Sequence, residues 1–308
     1  MATKHVVTLF DLTAEQIERV FEVSAELKRK LQAGVRESLL PGRVLALIFE
    51  KPSLRTRVSF ETAITHLGGG SLFLGDDVGW GKREPTKDFG RVLSEYVDAV
   101  VVRSKSHSSI EDLASHCSCS VINGLSDLAH PCQALADLFT MRERRGNLSK
   151  QKLAYIGDAN NVARSLAIAC GKMDVELAVA APPEHRFDKP FLERLSRECP
   201  QLKLTETADP IAAVKNATAI YTDVWVSMGQ EAESAARLKT LAPYQVNEEL
   251  MQHAPSDAIV LHCLPARRDE EITDGVFECA QSAIIQQAGN RMHVQKGLIA
   301  CLLGAFSW

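Results

Sequence analysis

Short apolar runs and longer amphipathic stretches take turns along the chain. RVLALIF, residues 43–49, is apolar at every position after the first, which predicts a strand buried on both faces. SLFLG, DAVVV and SVI continue the series, and the periodic stretches around them predict helices opening near Pro85, Ser108 and Pro131. Ahead of the first strand, Thr13 and Gln16 have the spacing of a capping box, and Gly34 is where that helix should end. The helix opening near Pro131 runs into RERRG (142–146), a charged segment closed by glycine and the expected domain boundary. Beyond it KLAYIG, ELAVA, LKL, AIYTD and AIVLH are separated by further helical stretches, one announced by Asp209 and Pro210 as cap and first-turn proline. Residues 291–308, strongly apolar through 304, predict a closing helix.

Two successive arrays of this kind predict an α/β chain of two domains with mostly parallel sheets flanked by helices. The first should span 1–146, with the 291–308 helix packed back on it, and the second 147–290. Polar residues cluster where the strands end. Lys51 to Arg57 follows RVLALIF, Arg103 follows DAVVV, and His130 to Gln133 follows SVI; in the second array Gly157 to Asn161, Asp223, and His262 with Cys263 hold the same position. Ligands bind at that edge of open parallel sheets, so the active site is expected in the crevice between the domains.

SLRTR (53–57) is the most pointed of these clusters. Ser53 can cap the helix that continues through VSFETAITHLG, and cations are unfavourable in a helix's first turn unless an anion shares the site. The plainer reading is that Arg55 and Arg57 pair with carboxylates on their own helix. HPCQ likewise has a plain reading, a proline opening a helix beside a satisfied His130. GDANN (157–161) lacks G-x-G-x-x-G and argues against a dinucleotide site.

Composition restricts the partners. The 308 residues are 45% apolar and 24% charged, ordinary for a globular chain, and a net charge of -4 with a pI near 6.2 offers no global field for nucleic acid or an anionic membrane. Eight cysteines show no C-x-x-C pair; Cys117 and Cys119, the close pair, lack partners at zinc spacing, so free thiols are expected. MATKHVVTLFDLT has no signal-peptide core, and no segment reads as a membrane span, which predicts a cytoplasmic protein.

Taken together, SLRTR, HPCQ, DVWVSMG (223–229) and HCLPA (262–266), in this order and at these separations, resemble the aspartate/ornithine carbamoyltransferase family over essentially the whole chain. The first two motifs resemble the carbamoyl phosphate half, the last two the ornithine half. The resemblance implies two domains, a homotrimer or a multiple of trimers, and neither metal nor organic cofactor. Carried over residue by residue, it implies phosphate on Ser53, the Leu54 backbone N–H, Arg55 and Thr56, with Arg57 nearby. The carbamoyl oxygen would meet Thr56, Arg103 and His130, its nitrogen Gln133, with Arg291, Cys263 and Leu264 completing the set. Asn160 and Asn161 would face the acceptor's carboxylate; Asp223, Ser227 and the Met228 backbone its α-amino group; Cys263, Leu264 and Asp223 the attacking amine. Arg55, Arg103, His130, Asp223 and Cys263 are the implied catalytic residues. Leu54 replaces the family's commoner threonine, but a backbone N–H is all that position would supply.

The implied reaction carries a carbamoyl group from carbamoyl phosphate to the side-chain amine of L-ornithine, giving L-citrulline and phosphate. An alkyl ammonium with a pKa near 10.4 must first lose a proton, at about 4 to 5 kcal/mol near pH 7. A thiolate or carboxylate at Cys263 or Asp223 could take it, although a lone cysteine is more commonly a small buried hydrophobe. One segment departs from the pattern. GDDVGWGKREPTKD (75–88) carries Gly79 and Trp80 where the family often has glutamine, followed by Lys82 and Arg83, in a loop that by resemblance reaches the neighbouring subunit's site. An exposed Trp80 there leaves a modified ornithine or another diamine-derived acceptor open, beside a catalytically silent regulatory member. The direction of the reaction in the cell is also left open.

Overall fold

A computed structural model of the chain describes residues 3–75, 78–226 and 234–308. The expected Ser227 and Met228 contacts lie outside the described residues. The chain divides into two compact units, one of Met1–Leu135 with Arg291–Trp308 and one of Ala136–Asn290. Each division point falls inside a helix, Pro131–Arg145 in one case and Ile284–Leu302 in the other.

In the first unit four parallel strands, β1 (Val44–Phe49), β2 (Gly70–Leu74), β3 (Ala99–Arg103) and β4 (Ser120–Leu125), lie in the order β2-β1-β3-β4. β1 and β3 are sealed on both faces, as their continuous apolar runs require. β2 is not. It lies at the sheet edge, with Leu72 and Phe73 exposed, a position that a five-residue apolar run cannot reveal locally. The helix Ala14–Gln32 begins at the reciprocal Thr13–Gln16 box, and Gly34 follows it at φ +79°.

The second unit repeats the plan with β5 (Lys152–Ile156), β6 (Glu176–Ala180), β7 (Leu204–Thr207), β8 (Ala219–Thr222) and β9 (Ile259–His262), ordered β7-β6-β5-β8-β9 and parallel throughout. Asp209 caps the short helix Pro210–Val214 as its sequence suggests. The closing helix begins at Ile284, earlier than the apolar run that announces it. No helix among the described residues is long and apolar enough to cross a membrane, and all eight cysteines are free.

Strand order locates the chemistry. In the first sheet the chain steps from β1 out to β2 and then pairs β3 on the other side of β1; in the second it steps from β5 out to β6 and β7 and then pairs β8 on the other side of β5. The loops after β1 and β3, and after β5 and β8, therefore leave in opposite directions and part at the carboxyl edge. Gly157, directly after β5, opens one of these gaps at φ +127°, a conformation that side chains rarely adopt. Gly157→Ala should lower stability by roughly 1–3 kcal/mol, read as a shifted denaturant midpoint, because the backbone is strained although a methyl group has ordinary contact distances there.

Candidate active site

In the first unit the side chains at the carboxyl edge converge on one hydroxyl. Ser53 caps the helix Leu54–His66, accepting the Thr56 N–H at 3.2 Å, and donates its own hydroxyl proton to Thr56 Oγ1 at 2.9 Å. That fully buried Thr56 oxygen also accepts from Arg291 at 2.6 Å and, more weakly, from Arg103 at 3.4 Å. Arg291 further reaches Gln133 Oε1 at 3.4 Å. His130 and Gln133, which open the helix Pro131–Arg145, are both buried.

The electrostatics here are unusual. The Arg103 guanidinium is pushed down to about 10, first by burial and then by the facing cations Arg291 and Arg55. Its buried Nε has no hydrogen-bond partner among the described residues. His130 is held well below the ordinary imidazole range by burial, with Arg291 and Arg103 adding to the effect. Converging cations of this kind are costly unless an anion completes them. The two arginines of SLRTR divide. Arg57 is exposed, pairs with Glu61 at 3.1 Å and lies over the Phe73 ring at 3.8 Å, whereas Arg55 contributes to the field at Arg103. Leu54 projects outward and is 76% exposed.

In the second unit the polar groups satisfy one another. Asn160 caps the helix Asn161–Lys172 through its Oδ1, which accepts from Val162 and Ala163 and from the Tyr155 hydroxyl at 3.2 Å. Its Nδ2 donates to Asp223 Oδ2 at 2.8 Å, across the gap between β5 and β8. Asp223 Oδ1 accepts the Val224 N–H at 2.8 Å and the Cys263 thiol at 2.9 Å. Asp223 is buried and Cys263 half-buried, so thiol and carboxylate share one partly dry position. Asp158, in the same turn as Asn160, pairs with Arg237 and lies 3.3 Å from His185 Nδ1; Arg237 Nε in turn holds the Trp225 carbonyl at 2.7 Å.

Asp223, His262 and Cys263 bring three potential ligand atoms within 4.8 Å of one another. The set does not fit a metal as it stands. Both ring nitrogens of His262 are committed, one accepting from Leu264 N–H and the other bonded to Glu271, each at 2.9 Å. Asp158 lies in the GDANN cluster already placed at a strand end, whereas Glu271 and Arg237 carry no motif that sequence reasoning could use. Glu271 sits in RRDEEITDG, which reads as a solvated loop, yet it is fully buried. Trp80 departs from its expected exposure: it is half-buried and packs on the core of its own unit around Phe89 and Ile110, whereas Lys82 and Arg83 are exposed.

Two family models match consecutive parts of the chain: the aspartate/ornithine carbamoyltransferase carbamoyl-P binding domain over residues 4–143, and the Asp/Orn binding domain of the same family over 149–302. The chain belongs to the aspartate/ornithine carbamoyltransferase family. It is 48% identical over 303 residues to an ornithine carbamoyltransferase of Anoxybacillus flavithermus, covering 97% of this chain and 96% of that one. The ornithine carbamoyltransferase structure from Pyrococcus furiosus matches with a TM-score of 0.95 at 44% identity, covering 99% of each chain, and that from Thermus thermophilus with 0.88 at 36%, covering 98% of this chain and 100% of that one.

Within the family segments, Ser53, Thr56, Arg103 and His130 fall in the carbamoyl-P binding part, and Asn160, Asp223 and Cys263 in the Asp/Orn binding part. Arg291 belongs to the second segment by sequence but reaches Thr56 and Gln133, in the first. Its place on the closing helix is what allows this carbamoyltransferase chain to bring a second guanidinium to Thr56.

His130 supplies a pH test of this environment. Its folded-state pKa lies below its unfolded value of 6.5, so the unfolded chain binds the proton first; the stability it contributes is complete above that pH and is lost as pH falls below it. His130→Asn should therefore flatten the fall in the unfolding midpoint between pH 7 and pH 5, by at most about 1.4 kcal/mol per pH unit. Parallel profiles for the variant and the parent would count against a buried, neutral His130.

Proposed function

We propose that this chain transfers the carbamoyl group of carbamoyl phosphate to the side-chain amine of L-ornithine, releasing phosphate and giving L-citrulline. The observation that carries the reading is the Arg103 guanidinium beside the Thr56 hydroxyl, depressed first by burial and then by the facing Arg291 and Arg55. Such a field suits an anion whose charge moves during reaction. As the amine attacks, charge builds on the carbamoyl oxygen and then on the departing phosphate, and fixed cationic donors act most strongly where it appears. Ser53, the Leu54 N–H, Arg55 and Thr56 take the phosphate in this reading, with Arg57 at its margin. Thr56, Arg103 and His130 take the carbamoyl oxygen, Gln133 its nitrogen, and Arg291 orients both Thr56 and Gln133.

The acceptor lies with the second unit's residues. Asn160 is already spent on its helix cap and on Asp223, so Asn161 is the residue we assign to the amino-acid carboxylate. Asp223 meets the ammonium groups, and the Cys263 thiol, hydrogen-bonded to it, lies beside the amine that must lose its proton. The Pyrococcus furiosus relative is named an anabolic ornithine carbamoyltransferase, and we assign this chain the same biosynthetic direction, as in arginine formation, in the cytoplasm.

The substrate assignment is tested by citrulline formation from carbamoyl phosphate with ornithine and a panel of modified and shortened diamine acceptors. Ornithine should be strongly preferred. Arg55→Ala should lower turnover by about 10²-fold at saturating carbamoyl phosphate while the fold survives. A variant with full turnover, or a preference for a modified acceptor, would overturn the assignment.

We further propose a homotrimer, or a multiple of it. Leu54, Val58, Leu72 and Phe73 expose large apolar side chains on the helix and edge strand next to the anion site, and a second copy of the chain is the partner we assign to them. In such an assembly Lys82 and Arg83 would serve a neighbour's site. Trp80, packed on its own core, would brace their loop. Mixing Arg55→Ala subunits with subunits carrying both Lys82→Ala and Arg83→Ala should restore activity above either parent. No recovery at any mixing ratio would assign the loop to its own chain's site.

A further inference from the structure

The HCLPA turn opens on one half of a buried pair to which the chemistry proposed above gives no task. His262 ends β9 and is completely buried, as is Glu271 nine positions on. The hydrogen bonds define the tautomer. Nδ1 accepts the Leu264 N–H at 2.9 Å and so carries no proton; Nε2 carries it and donates to Glu271 Oε1, also at 2.9 Å. The same carboxylate oxygen accepts the Arg267 N–H at 2.7 Å, and the His262 backbone N–H donates to Gln287 Oε1 at 2.9 Å. The residue so held, Leu264, has φ +61°, a left-handed conformation that a leucine keeps only when its surroundings hold it there. Directly before it, Cys263 Sγ stands 2.9 Å from Asp223 Oδ1.

We propose that His262 and Glu271 are positioning residues for carbamoyl transfer: Glu271 fixes the Nε2–H tautomer of His262, and His262 Nδ1 holds the Leu264 N–H and thereby the turn that sets Cys263 against Asp223. The opposite tautomer would place N–H against N–H at Leu264 and release the turn. A neutral amide could not simply replace the carboxylate. Glu271 Oε2 is buried with no hydrogen-bond partner among the described residues, so the NH₂ of a glutamine there would also be stranded. The inference rests on the assignment of Cys263 and Asp223 to the acceptor amine. It adds that two residues making no contact with substrate decide whether that pair forms.

Two substitutions separate positioning from mere packing. In His262→Gln the longer amide reaches toward Glu271 but leaves the Leu264 N–H without its acceptor; in His262→Asn the shorter one puts an oxygen near the position of Nδ1. His262→Gln should lose about 10²-fold in kcat and raise KM for ornithine, because releasing the turn displaces a group beside the attacking amine. His262→Asn should recover most of that loss. Independently of turnover, the rate at which iodoacetamide alkylates Cys263, followed by peptide mass spectrometry, should rise several-fold in His262→Gln and in Glu271→Gln as the thiol leaves Asp223. Equal losses in the Gln and Asn variants with matched drops in melting temperature would reduce the pair to core packing and overturn the proposal. An unchanged alkylation rate in His262→Gln would do so as well. A parent protein that forms no citrulline would instead remove the transfer reading, with the alkylation comparison still deciding the geometry of the turn.

Discussion

Both sheets are governed by one topological constraint, the reversal of strand order beside the first strand of each. A parallel strand needs a crossover connection, and when two neighbouring strands send theirs to opposite sides, no loop covers the space above their carboxyl ends. Main-chain N–H groups, a helix N-terminus and the next side chains all point into that gap. In the first unit the reversal brings the Ser53-capped helix beside Arg103; in the second it brings Asn160 beside Asp223. Each unit packs its own core on this arrangement, Leu47 and Val101 in the first and Tyr155 and Tyr221 in the second, and the Tyr155 hydroxyl is itself bonded to Asn160.

The two gaps are filled by opposite electrostatic logic. Around Thr56 the protein gathers guanidinium groups and desolvates them, so Arg103 and His130 both shift toward their neutral forms. Preorganised cations cost no rearrangement when negative charge develops beside them. Around Asp223 the protein completes its own hydrogen bonds, with Asn160, Val224 and Cys263 all donating to the carboxylate. A site that handles a proton on an amine needs donors and acceptors in fixed positions more than it needs net charge. In the proposed reaction an anionic donor takes the first kind of site and a zwitterionic acceptor the second.

Much of this was open to inspection along the chain. Apolar runs marked the strands because a parallel strand covered on both faces has no polar alternation to show; the Thr13–Gln16 box and the Asp209–Pro210 cap marked helix starts because capping is settled by neighbours within one turn. SLRTR, HPCQ and HCLPA could be placed at strand ends for the same local reason. Other features had no local sign. The strand expected at LKL (202–204) begins only at its last residue, Leu204, because pairing with β6 rather than the apolar residues sets its register. Trp80 looked stranded in a glycine-rich loop, but packing against the core of its own unit half-buries it.

The sequence by itself determined the alternation of elements, the family and the positions at which chemistry could sit, because periodicity, caps and motif spacing act over a few residues. Only the tertiary structure decided which charges meet. Thr56 and Arg291 lie 235 positions apart, and nothing in either neighbourhood announces the 2.6 Å bond between them. Arg55 and Arg57 are two positions apart and look equivalent in SLRTR, yet successive helical residues face different directions, so one joins the buried cations and the other pairs with Glu61 over Phe73. Glu271 reads as one more surface acid, and it is the fold that carries it inside to a histidine whose two nitrogens then have only one possible arrangement. Burial and partnership are properties of contacts between distant segments, and those exist only once the strand order has brought the segments together.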